Sequence, residues 1–432
     1  VADAASGEVR EIWRADDGPG SVFHELASEH QLYWTASGRV VFPWERTGWL
    51  HLYGVPSQGG TAAELTPGSF EVEQVAISAD RKALVYSSNQ DDIDRRHVWM
   101  VSASGGVPKA ITSGQGIEVS PVVAGDGAIA VLHSDAHLPM RPAAITGGSL
   151  HDLAPELIPA DFPAAKLVTP EPVMLTAADG MQIHGQLFLP AAAHDGKRHP
   201  ALVFFHGGSR RQMLLGWHSM QYYSNAYAMN QYLASLGYIV LSVNYRSGIG
   251  YGLDFREALH YGATGASEFS DVLGAGLYLR SRADVDPARI GVWGGSYGGY
   301  LTALALSRAS DLFAAGVDFH GVHDWNIEFE NWNDPTYDPG VDTDAVRIGW
   351  ESSPLSTVRG WRSPVLLIQG DDDRNVEFSQ TVRLAEALRK QHTPFEELIF
   401  PDEIHDFLLY KDWLAAYTAE AKFFGKYLKP GE

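Results

Sequence analysis

The chain contains no cysteine. That excludes disulfides, a thiolate nucleophile and any zinc or iron–sulfur site built on cysteine, and it fits any redox compartment. Long hydrophobic runs are also missing. None reaches the roughly 18 residues needed to cross a bilayer, so no membrane partner is expected. No basic stretch followed by an apolar one opens the chain, which favours a cytoplasmic location. Because the first residue is Val1 and not Met, export is not excluded. Basic residues are scarce: 32 Lys and Arg stand against 53 Asp and Glu, a formal net charge of −21. A surface so acidic repels phosphate backbones, and nucleic-acid partners are set aside.

What is present divides in two. At 432 residues, 45% hydrophobic and 20% charged, the chain reads as globular and long enough for two domains. Residues 1–165 read as all-β, with short alternating strands such as Gln31–Trp34, Val40–Pro43, His51–Val55 and Ala83–Ser87 between Gly, Ser, Asp and Asn turns. "HLYGVPSQGGTAAELTPG" from His51 and "HVWMVSASGGVPKAITSG" from His97 echo each other at a period of about 46 residues, the length of a four-stranded propeller blade. The segment from Glu11 reads as the end of an earlier blade. Only about three blades fit, whereas closed propellers have roughly four to eight. The expectation is a partial β-propeller whose N-terminal blades are missing. A second chain supplying them, or a homo-oligomer, is the partner this implies.

A Pro-rich passage from Ala154 reads as a linker. Residues 166–432 then alternate buried strands (Ala201–Phe205, Tyr238–Val243, Ile290–Trp293, Ala314–Phe319, Val365–Ile368) with helical patterns (Met229–Leu236, Ser270–Arg280, Gln380–Lys390, Trp413–Leu428). That grammar predicts a doubly wound, mostly parallel sheet, the α/β-hydrolase class.

Gly294-Gly295-Ser296-Tyr297-Gly298 matches G-x-S-x-G between a predicted strand and a predicted helix, the context in which a strained turn exposes a serine hydroxyl. A serine needs a base held by an acid, and in this class the order is Ser, acid, His. Asp371, Asp372 and Asp373 end one strand, and His405 follows another, both at the sheet edge where such sites lie. The pattern does not choose among the three aspartates. His392 also follows them, but in a helix-to-strand turn. The oxyanion would be met by the Tyr297 N–H and by a donor from His206-Gly207-Gly208, with His206 itself at least as readily a packing residue. "SGIGYG" from Ser247 falls short of a phosphate-binding glycine loop and reads as a tight loop. His320 and His323, with Asp324 nearby, lack further ligands at metal spacing and read as structural, so neither metal nor organic cofactor is expected.

The motifs "DGMQIHGQLFLP", "FFHGGS", "VNYRSGIGYG", "GVWGGSYGGY", "SPVLLIQGDDDRNV" and "DEIHDF" together resemble the prolyl oligopeptidase family of serine peptidases, in its dipeptidyl and acylaminoacyl peptidase branches. The resemblance covers nearly the whole catalytic half. It implies a seven- or eight-bladed propeller limiting entry to short peptides, with cleavage near the N-terminus. It also implies Asp373 as the acid, bracketed by Gly370 and Val376. Tyr297, Val322, Trp325 and Val376 would line the pocket for the residue before the scissile bond, and Asn375 would contact the substrate carbonyl. The H-G-G motif is closer to the acylaminoacyl branch and would make Gly208 N–H the second oxyanion donor. The paired glutamates of the dipeptidyl branch have no counterpart that the sequence identifies. A carboxylesterase on the same fold, or a non-catalytic binding fragment, are the competing readings.

Overall fold

The computed structural model describes residues 1–18, 20–21, 32–331 and 343–429. Two compact units emerge. The first comprises Val1–Ala165 with Leu214–Met220 and Ile249–Glu257, and the second Lys166–Met213, Gln221–Gly248 and Ala258–Glu432.

Among its described residues the first unit holds three antiparallel four-stranded sheets, each a meander in chain order. They are β1–β4 (Tyr33–Trp34, Arg39–Trp44, His51–Pro56, Ala63–Glu64), β5–β8 (Val72–Ile77, Ala83–Ser88, His97–Ser102, Lys109–Ala110) and β9–β12 (Ile117–Val123, Ile129–Ser134, Arg141–Thr146, Ser149–Asp152). The two echoing segments begin at β3 and β7, the third strands of their sheets. Gln31, expected to begin the first strand, lies outside the described residues.

Strand periodicity explains how the sheets stack. Side chains of a strand alternate between faces, and on β6 Leu84 and Tyr86 join the cluster shared with Val41 and Leu52 of the first sheet. Val85 between them joins Ile129, Val131 and Ala143 of the third. The middle sheet is thus apolar on both faces, as a propeller blade must be. The segment from Glu11 forms no strand over its described residues. Instead Ile12 and Trp13 pack on Phe42, Trp44, Tyr53 and Val55.

Specific polar contacts bind the two later segments to this unit. Arg256 and Glu45, both buried, form a bidentate ion pair at 2.6 and 2.7 Å. The glycine loop that resembled a phosphate cradle turns its Gly250 and Gly252 N–H groups onto a carboxylate, that of Glu71, at 3.2 and 3.1 Å.

The second unit is an eight-stranded sheet in the order β13-β14-β16-β15-β17-β18-β19-β20. The strands are Glu171–Thr176, Gln182–Phe188, His199–Phe205, Ile239–Asn244, Val285–Gly295, Ala315–Phe319, Val365–Gly370 and Phe395–Phe400. β13, β14 and β16 pair antiparallel; β16, β15 and β17 to β20 run parallel. Every residue of β15, β16, β18 and β19 is buried, the reason these strands read as unbroken apolar runs. Helices Gln221–Ser235, Phe269–Ser281, Tyr297–Arg308, Phe378–Lys390 and Tyr410–Leu428 accompany them. Among the described residues no helix is long and apolar enough to cross a membrane. The C-terminal ends of β15, β17, β18, β19 and β20 lead into Gly207, Ser296, His320, Asp373 and His405 respectively.

Candidate active site

β17 ends at Gly295 and a helix begins at Tyr297, so Ser296 must turn the chain within one residue. It does so at φ 59° and ψ −121°, a conformation costly for a non-glycine residue and held by its surroundings. Its N–H donates to Phe319 O and its carbonyl accepts from Tyr300 N–H, both at 2.9 Å. Glycine flanks it of necessity. A Cβ on Gly298 would run into the Phe205 carbonyl, and one on Gly295 into the Tyr222 hydroxyl.

Asp373 Oδ2 lies 2.7 Å from His405 Nδ1. The other oxygen of this buried carboxyl accepts the Asn375 and Val376 N–H groups at 2.9 and 3.1 Å. The neighbouring aspartates are differently engaged and exposed: Asp371 accepts from Asp402 N–H, and Asp372 pairs with Arg374. His392 lies in the turn after helix Phe378–Lys390, its N–H on Arg389 O.

His320 stacks on His405, with ring centroids 4.1 Å apart. Its Nε2 lies 2.9 Å from the Tyr222 hydroxyl, and burial holds its pKa well below the usual imidazole range, so the ring is neutral. One ligand atom each from His320, Asp373 and His405 lies within 4.8 Å of the others. The 2.7 Å separation of Asp373 and His405 is, however, that of a hydrogen bond and too short for two ligands around an ion at about 2.1 Å. His323 turns elsewhere, onto Asp318 Oδ2 at 2.8 Å.

The loop after β15 approaches Ser296 closely: a Cβ on Gly207 would lie 3.1 Å from that of Ser296. Gly208 has φ +87°, a conformation open to glycine. His206 is buried and neutral, its pKa pushed down to about 4 by burial, and its ring stacks on Tyr245 at 4.4 Å. Tyr245 also donates its hydroxyl to His206 O at 2.8 Å and lies parallel to Tyr297, 5.9 Å away and 4° from coplanar. One ring thus bridges the two chain segments expected to form the oxyanion hole. Tyr297 in turn donates its hydroxyl to buried Glu268 at 2.7 Å.

Trp325 is buried with its ring 5.8 Å from that of Tyr297. Val322 and Val376 are buried as well, and Asn375 follows Asp373 in its turn. Tyr222, Tyr245, Glu268 and His320 escaped the sequence reading as site residues. For His320 a signal existed, its place at a strand's C-terminal end beside β17.

Two family models match the chain: the prolyl oligopeptidase family over residues 224–431 and the dipeptidyl peptidase IV N-terminal region over residues 5–139. Dipeptidyl aminopeptidase BIII of Pseudoxanthomonas mexicana is 31% identical over 258 residues, 56% of this chain and 36% of that protein. The acylamino-acid-releasing enzyme of Arabidopsis thaliana is 29% identical over 248 residues, 54% of this chain and 31% of that one. The stretches matched in the curated relatives span about a third of their length. A puromycin-hydrolyzing peptidase of Mycobacterium tuberculosis superposes with a TM-score of 0.77 at 24% identity, over 92% of this chain and 62% of that structure, a likeness of fold.

Proposed function

Because the chain belongs to the prolyl oligopeptidase family, we propose that it is a serine peptidase that cleaves short peptides near their N-terminus through an acyl-enzyme on Ser296. The observation that carries this is the 2.7 Å Asp373–His405 hydrogen bond on the sheet edge where Ser296 occupies its strained turn.

In this reading the Ser296 hydroxyl attacks the scissile carbonyl while His405 takes its proton, and Asp373 holds the imidazole and favours its charged form. The carbonyl oxygen, now negative, is met by the N–H groups of Tyr297 and Gly208. His405 returns the proton to the leaving amine as the C–N bond breaks. Water, deprotonated by the same imidazole, then releases the acid and frees Ser296. The relatives named as dipeptidyl peptidases and acylamino-acid-releasing enzymes support cleavage near the N-terminus.

The test is a panel of four chromogenic substrates on the wild type and Ser296→Ala: a free-amino X-Pro anilide, a free-amino single-residue anilide, an N-acyl-alanine anilide and a short-chain aryl ester. At least one anilide is expected to turn over, with a loss of about a millionfold in the variant. Which anilide is best identifies the branch. Turnover of the ester alone replaces the peptidase by a carboxylesterase.

A further inference from the structure

One turn beyond Trp325 on helix Trp325–Asn331 lies a glutamate that the catalytic scheme does not use. Glu328 is 0% exposed. Its Oε2 accepts from Gln380 Nε2 at 3.0 Å, while its Oε1 has no hydrogen-bond partner among the described residues. The neighbouring charges are unhelpful. Burial first, then the carboxylates of Asp373 and Glu377, push its pKa up to about 7. Asp324, just before the helix, is a further buried acid, and the cation acting there, Arg383, acts on Asp324. Gln380 cannot supply more, since the two hydrogens of its Nε2 are already donated to Glu328 Oε2 and to Asp324 O, both at 3.0 Å. A buried carboxyl with one oxygen unpaired and acids around it is costly unless something cationic meets it.

Position says what that something is. Residues i and i+3 share a helix face, so Glu328 is aligned with Trp325, whose ring lies against Tyr297 beside the nucleophile. Gln380, its partner on the other side, sits on the helix that follows the Asp373–Val376 turn. The carboxyl therefore lies between the two elements to which the peptidase reading, on which this inference rests, assigns the pocket for the residue before the scissile bond. We infer that Glu328 is the specificity-determining residue of that pocket and that the enzyme selects peptides with lysine or arginine immediately before the cleaved bond. The aliphatic stem packs along Trp325, Val322 and Val376, and the cationic head donates to the free Oε1.

Matched anilides differing only in that residue (Lys, Arg, norleucine, Ala, Phe) test this in about 0.5 M NaCl, where long-range attraction to the acidic surface is screened, with fluorophosphonate labelling of Ser296 run in parallel. Norleucine has the stem of lysine without the charge. The wild type is expected to favour Lys and Arg over norleucine by about a hundredfold in kcat/KM, and E328Q to bring that ratio close to one. E328L, which suits an apolar pocket if E328Q folds poorly, is expected to invert it. The wild-type ratio should also rise with pH as the carboxyl ionises, a dependence that both variants lose. Lys and Arg no better than norleucine in an active wild type, or a preference that survives E328Q, overturns this inference alone. No anilide turnover from a protein whose Ser296 still labels overturns the peptidase reading and this inference with it.

Discussion

Glu268 is fully buried, and its carboxyl accepts from two donors: the Tyr297 hydroxyl, onto Oε1 at 2.7 Å, and the Gly262 N–H, shared between Oε1 and Oε2 at 2.9 and 3.1 Å. Burial raises its pKa to about 7, and nearby Asp271 adds to the rise, against the lowering effect of these donors. The ionised form accepts from both donors with the strength of a charged acceptor. Protonation, on Oε2, removes that charge and weakens the bond from the Tyr297 hydroxyl, so the hold on Tyr297, whose N–H is assigned to the oxyanion, loosens. The expected outcome is a component of kcat that is gained as pH rises through about 7, absent from Glu268→Gln, which at pH 8 is slower by about tenfold. A kcat–pH profile at saturating substrate decides, and an identical profile in the variant sinks the idea. Nothing in "GASEFSD" announces this role, because an acid at a helix N-terminus is ordinary surface chemistry. The turn at Ser296 and the place of His405 after a strand end were legible because an elbow and a strand end leave local marks. Asp373 was not separable from Asp371 and Asp372 by pattern, since what distinguishes it is burial and a partner 32 residues away.

Helix Tyr410–Leu428 shows how an element can hide a residue. Its buried residues, Trp413, Ala416, Glu420, Phe423, Phe424 and Leu428, fall at helical spacing, and a glutamate occupies the middle of that apolar stripe. Both Glu420 carboxyl oxygens lack hydrogen-bond partners among the described residues, and burial raises its pKa well above 4.5. Folding therefore takes up a proton here. The neutral form fits the fold, so this group's contribution is best below the unfolded pKa and worsens as pH rises from 4.5 towards the folded value. Glu420→Leu is expected to be more stable than the wild type by about 1–3 kcal/mol at pH 8, with a smaller gain at pH 5. Urea melts at the two pH values check this, and a gain independent of pH would falsify the linkage. At this scale β15, β16, β18 and β19 were readable, being buried throughout. β13 was not, because its first residues, Glu171 and Pro172, end a Pro-rich passage that reads as a linker, and only Leu175 of its six is buried.

Across the whole chain, the echo from His51 to His97 made the blades legible, because each blade repeats the same solution to burying two faces. The membership of Leu214–Met220 and Ile249–Glu257 in the first unit was not legible. It depends on individual pairs such as Arg256 with Glu45, which leave no periodic trace. Net charge acts at this scale too. A formal charge of −21 sets up a field that draws cationic peptides in and raises their association rate, with a reach of ~30 Å at 0.01 M salt and ~10 Å at 0.1 M. For a lysine-containing peptide, kcat/KM is expected to fall severalfold between about 20 mM and 500 mM NaCl, while a neutral peptide's barely changes. Glu328→Gln separates the long-range field from the pocket. Removing one acid of 53 leaves the field, and hence the slope against ionic strength, nearly intact, while the loss of a short-range partner lowers kcat/KM at every salt concentration. Stopped-flow or initial-rate series on both proteins resolve the two effects. Parallel lines mean that attraction and selection are separate properties of the molecule. A slope that collapses with Glu328 means that the pocket alone carries the preference for positive charge.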